Sequence, residues 1–146
     1  MIRRDRHIRL CVALLALNLA FIWGNSLLPG EVSGALSDWV KELLAAIFPG
    51  AGMESSGGGL LRKLAHFLEF ASLGLLLGWL AAMLQNRGWY ALLWGSLAAL
   101  TDETIQMFVP DRGPSLRDVG IDACGVLTGM VLLQIGYFLW KRKHSK

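Results

Sequence analysis

A chain of 146 residues that is 54% hydrophobic, with mean hydropathy +0.48, is too apolar for a soluble domain and too short for two domains. Its formal net charge is +3, but nine of its 14 Lys and Arg flank apolar runs. Anionic lipid head groups account for that basic balance without nucleic acid.

Four runs have the length that a hydrocarbon core of ~30 Å demands of a helix: Ile8–Leu28, Leu61–Leu84, Trp89–Val109 and Val119–Trp140. They predict an all-α membrane protein, a single domain over residues 1–146. Its core is a four-helix transmembrane bundle, with a short interfacial amphipathic helix in the first extracytoplasmic loop. Arg3, Arg4 and Arg6 precede the first run and Arg9 stands at its start, Arg87 separates the second from the third, and Lys141, Arg142, Lys143 and Lys146 follow the fourth. The positive-inside rule places these ends and both termini in the cytoplasm. Every acid except Asp5 then falls on the outer half.

The first run also has the basic flank of a signal peptide, with small residues at Ser33, Gly34 and Ala35. Its apolar stretch is about twice the usual length of such a segment, and Asn18, Asn25 and Ser26 interrupt or end it, so it is expected to remain as a span. Cys11 near the inner face and Cys124 in the outer half are too far apart to bridge, and both are expected to pack as small apolar residues.

Between the first two spans, Leu36, Trp39, Val40, Leu43, Leu44 and Ile47 recur at helical spacing, with Ser37, Asp38, Lys41 and Glu42 opposite. This predicts a helix over about 36–48, lying on the outer surface and roofing the polar cluster, or simply packing there. Pro49 ends it, and Gly50–Gly59 reads as a tether. Gln85–Gly88 is a tight cytoplasmic turn. Pro110–Leu116, with two prolines and a glycine, is a shaped outer turn.

Ionisable side chains at membrane depth mark a functional site by default. From Trp89 to Asp102 is ~20 Å along a helix, so Asp102 lies ~10 Å below the outer boundary. One layer thus gathers His66, Glu69, Asp102, Glu103 and Asp122. Arg62, His66 and Glu69 share a helix face, as do Asp102 and Gln106. Asp118, Asp122, Gly125 and Gly129 form one stripe whose small residues admit a close neighbour, in the chain or in an oligomer formed through Gly125 and Gly129.

Arg62-Lys63-Leu64-Ala65-His66-Phe67-Leu68-Glu69-Phe70, followed by Leu73-Gly74, resembles the first signature of the VanZ-like family. Asp102-Glu103 through Gln106, Pro110, Arg112 and Ser115 to Asp118, then Asp122 and Gly125, resembles its second, and Asn25-Ser26 is also similar. The resemblance runs from Asn25 to Gly129. It implies a bacterial cell-envelope protein of the kind named for resistance to teicoplanin, a lipid-tailed glycopeptide antibiotic that acts on cell-wall precursors. Asp122 departs from the Asn expected in many members, so a role requiring charge there is not implied for the family.

From these residues an outward-facing polar site is expected that binds or processes a lipid-linked phosphate or cell-wall precursor head group. The catalytic set is His66, Glu69, Asp102, Glu103 and Asp118. His66 is the natural proton carrier, and a buried carboxylate serves as base. The substrate-binding set is Lys63, Gln106, Arg112, Asp122, Asn25 and Ser26, with Arg suited to bidentate contact with phosphate. Hydrolysis or transfer of a lipid-linked substrate is the reaction class, with non-catalytic binding beside it. No particular cofactor is implied, and His66, Glu69 and Asp102 offer a hard donor set suited to a divalent metal such as Mg²⁺, Mn²⁺ or Zn²⁺. Membrane lipids or a lipid-linked precursor are the expected partners, and nucleic acid is not. Two other readings stand beside these: a structural or partner-binding protein whose acids form a register-fixing ion network, and a proton-coupled transporter component. The inner halves carry little polarity beyond Asn18 and Gln134, which favours a one-sided site.

Overall fold

A computed structural model of the chain describes residues 2–47 and 59–144, and among the described residues the only regular structure is helical. The helices are α1 (Ile2–Ser26), α2 (Gly30–Ile47), α3 (Gly59–Met83), α4 (Trp89–Gln106) and α5 (Leu116–His144). The expected helix stop at Pro49 and the tether, apart from Gly59, lie outside the described residues.

α1, α3 and α5 are long and apolar enough to cross a membrane. Their large side chains are widely exposed, among them Leu17, Phe21, Leu64, Leu68, Leu132 and Phe138, as suits helices solvated by lipid. α4, which covers most of the third expected span, is not among the three. It has 18 residues and ends in Thr-Asp-Glu-Thr-Ile-Gln, so its apolar stretch is cut short by the acids it carries.

α3 and α5 make the most extensive pairing. Its cause is the small-residue stripe. Gly125 faces the Phe67 carbonyl, Gly129 faces the Ala71 carbonyl, and Gly74 faces the backbone of Val126. A Cβ at any of the three would collide with main chain. The stripe, expected to admit a neighbour in the chain or in an oligomer, is occupied by α3 of the same chain. Cys124, two residues from Asp122 on a helix of 3.6 residues per turn, points away from that contact and is exposed rather than packed. Cys11 is buried, as expected, and both cysteines are free.

The connections follow from local chemistry. α3 stops where Gln85 adopts φ 56°, with its own N–H and that of Asn86 returned to the carbonyls of Ala82 and Ala81. α4 tightens over Met107–Val109 and ends before Pro110, whose ring disfavours helix in the preceding residue. Ser115 then caps α5, its Oγ accepting the Asp118 N–H at 3.3 Å. α2 begins at Gly30, earlier than the periodicity suggests, because its first turns are small and polar. Gly30 lies against the Asp111 main chain and donates its N–H to the Pro110 carbonyl at 3.2 Å.

Candidate functional site

The up-and-down path of the helices brings the end of α1, the start of α3, the end of α4 and the start of α5 to one end of the bundle. Each contributes polar residues. α3 presents Arg62, Lys63, His66 and Glu69. α4 presents Asp102, Glu103 and Gln106, all buried, and α5 presents Asp118 and buried Asp122. α1 supplies Asn25 and Ser26, and the α4–α5 loop supplies Arg112.

Much of this set is tied to itself. Asn25 Nδ2 donates to Glu69 Oε1 at 2.7 Å. Gln106 Nε2 donates to Asp102 Oδ2 at 2.8 Å and to the Ser26 hydroxyl at 3.2 Å. The Ser115 N–H donates to Glu103 Oε2 at 2.7 Å, which fixes the loop over the end of α4. Arg112 Nη2 donates to the Asn25 carbonyl at 3.2 Å. Lys63 lies 3.7 Å from Asp118. Below the site, Asn18 Nδ2 donates to Ser72 Oγ, which donates in turn to the Glu69 carbonyl.

Other groups are left over. His66 Nδ1 is 3.8 Å from Asp102 Oδ2, too far for a hydrogen bond. Asp102 is 0% and Asp122 1% exposed. Among the described residues, Asp102 Oδ1, both carboxylate oxygens of Asp122, Glu69 Oε2, and Nε and Nη1 of Arg112 are buried without a hydrogen-bond partner. An unpaired buried polar atom is costly enough to require a reason. Burial and the nearby Arg62 cation pull the Arg112 pKa below its ordinary value, while Asp102, Glu103 and Glu69 raise it in part.

Two cavities adjoin these groups. The larger, about 220 Å³, lies between α2 and α3, with Leu36, Val40, Leu61, Leu64 and Leu68 on its apolar walls and Arg62, His66, Glu69, Asn25 and Arg112 on its polar ones. α2 therefore covers part of the cluster. It also contributes Ser33 and Ser37, neither of them expected as a site residue, although Ser37 lies on the polar face of the helix and Ser33 one turn before it. The smaller, about 10 Å³, is lined by Arg62, Lys63, His66, Glu103, Gln106, Asp118 and Asp122. His66 belongs to both.

The predicted residues thus separate into two groups around His66. Glu69, Asn25 and Arg112 face the larger cavity. Glu103, Gln106, Lys63, Asp118 and Asp122 line the smaller. Ser26 and Asp102 lie buried between helices. One nitrogen of His66 and one oxygen each from Asp102 and Asp122 all lie within 4.8 Å of one another. Glu69, expected in such a set, is not in it, because Asn25 holds it on the other wall. Asp122 takes its place.

Residues 10–139 match the family model described as VanZ/LLP1. No curated protein and no solved structure matches the chain significantly.

Proposed function

We start from the fact that the chain belongs to the VanZ/LLP1 family, and propose that this membrane protein receives the anionic head group of a lipid-linked phosphate or cell-wall precursor in the cavity between α2 and α3. In this reading α4 is a fourth span, both termini are cytoplasmic, and the polar end faces the extracytoplasmic side; the distribution of Lys and Arg supports it. A link to glycopeptide susceptibility belongs to the same proposal, since a site for a wall precursor lies outside the membrane, where such antibiotics act.

Arg112 carries the argument. It lines a cavity with apolar walls opposite, and two of its donors are buried without a partner. Phosphate oxygens satisfy such donors bidentately, and the apolar side suits a hydrocarbon tail lying towards lipid. Arg62 adds charge. His66 and Glu69, on the same wall, are placed to move a proton to or from a leaving oxygen, which makes hydrolysis or transfer the reaction class to assay.

An ion network that only fixes register is favoured by the Lys63–Asp118 pair. It accounts poorly for Asp122, which has no cation within salt-bridge distance among the described residues. Native mass spectrometry of delipidated protein mixed with a polyprenyl phosphate tests the proposal. The parent should retain one lipid per chain and Arg112→Ala should lose it. Equal retention by both, or none by a folded parent, refutes it. Release of inorganic phosphate from a polyprenyl pyrophosphate by the parent, and not by His66→Ala, separates an enzyme from a binder.

A further inference from the structure

We infer that His66, Asp102 and Asp122 form a site for one divalent first-row transition-metal ion, of the Mn²⁺ or Zn²⁺ class. The three residues come from α3, α4 and α5, and the tight α3–α5 contact fixes the spacing between the first and the last. Metal–ligand bonds of ~2.1 Å place neighbouring ligands ~3.0–3.8 Å apart, and opposite ones ~4.2 Å apart. The distance of 3.8 Å from His66 Nδ1 to Asp102 Oδ2 falls in that range. The limit of 4.8 Å for the whole set exceeds the separation of opposite ligands by about 0.6 Å.

The second observation is Asp122. It is 1% exposed, and neither oxygen has a hydrogen-bond partner among the described residues. Asp102 is fully buried with Oδ1 unpartnered. Lys63 lies beside Asp118, and neither Arg62 nor Arg112 comes within salt-bridge distance of Asp102 or Asp122 among the described residues. Two buried carboxylates and a neutral imidazole carry two negative charges, which a dication balances. The adjoining space of about 10 Å³ is of the order of one water-sized sphere, enough to complete a coordination shell.

The donor set selects the metal. Imidazole suits Zn²⁺ and its neighbours better than Mg²⁺ or Ca²⁺, whereas the two carboxylates suit Mn²⁺. Support behind the ligands is present as well. Gln106 bonds both Asp102 Oδ2 and Ser26, which holds that carboxylate in orientation as outer-shell partners do at metal sites. None of this depends on the head-group reading. The two meet at His66, which also lines the larger cavity.

The test uses full-length protein in mild detergent, stripped with a chelator and then equilibrated with MnCl₂ or ZnCl₂. Elemental analysis after desalting should find one ion per chain in the parent. Asp102→Asn and Asp122→Asn should each weaken binding at least tenfold, while Asp118→Asn and Arg112→Ala keep the ion. Retention of the ion by Arg112→Ala together with loss of lipid separates this inference from the head-group proposal. Thermal unfolding adds a readout with a change of sign. In stripped protein Asp122→Asn should melt at or above the parent, because Asp122 has no partner to lose, and with Mn²⁺ it should melt below it. Should either variant fail to fold, immobilisation of Mn²⁺ by the parent, followed by electron paramagnetic resonance and displaced by Zn²⁺, carries the same test. No ion bound by the folded parent, or the same occupancy in the parent and both ligand variants, overturns the inference.

Discussion

Gly129→Ala is the sharpest perturbation of the packing that holds the polar end together. A Cβ there would lie 2.7 Å from the Leu75 nitrogen and closer still to the Ala71 carbonyl, whereas ordinary contact begins near 3.4 Å. The obstructing atoms are main chain and cannot rotate aside, so the two helices must part. Helix propensity alone favours the alanine by about 1 kcal/mol. Overpacking a core costs about 1–3 kcal/mol even where side chains can yield, so the upper end of that range applies and a net loss of about 2 kcal/mol is expected. Gly136→Ala is the control, since no atom lies within 4 Å of its Cβ. It should be neutral, or stabilise by up to about 1 kcal/mol. Reversible unfolding of the three proteins in mixed micelles, titrated with dodecyl sulfate, gives the comparison. If Gly129→Ala unfolds with the parent or with Gly136→Ala, the close backbone contact does not set the stability of this bundle.

Three further outcomes are expected. Glu103→Ala removes the acceptor of the Ser115 N–H and leaves that donor without its partner, a cost of about 1–3 kcal/mol by thermal unfolding, which Glu103→Gln should largely restore. Gly30→Ala, whose Cβ would meet the Asp111 backbone, should shift the loop bearing Arg112. It should weaken polyprenyl phosphate retention while moving the melting temperature less than Gly129→Ala does, and unchanged retention would count against the loop's role. In a cysteine-free background, Gly113→Cys should react with an impermeant thiol reagent in intact cells and Asn86→Cys only after permeabilisation; the opposite pattern inverts the proposed topology.

The membership of the polar end was legible in the sequence because helical spacing fixes which side chains share one helix face. His66 with Glu69, and Asp102 with Gln106, are read off by counting. The rotation of one helix against the next is not encoded in spacing, and it decides that Asp122 rather than Glu69 joins His66 and Asp102. Partner choice was hidden for a related reason. Nothing local to Glu69 announces that Asn25, 44 residues earlier, will hold it. Gly125 and Gly129 declared a close packing face, but a pattern of small residues does not say whether the neighbour is α3 or a second chain. The start of α2 was obscured because Glu31, Ser33 and Gly34 carry no apolar periodicity, and the contact at Gly30 lies in the loop after α4.

Two of the bonds that close the polar end join residues very distant along the chain. Gln106 reaches Ser26 across 80 positions, and Arg112 reaches the Asn25 carbonyl across 87. The end of α1 is synthesised long before either partner exists, so during biogenesis it must wait, with its polar groups met by water or lipid head groups, until α4 and the loop after it have emerged. Asp122 follows later still. The polar end therefore closes only after most of the chain has been made, and without α5 it would lack both Asp118 and Asp122.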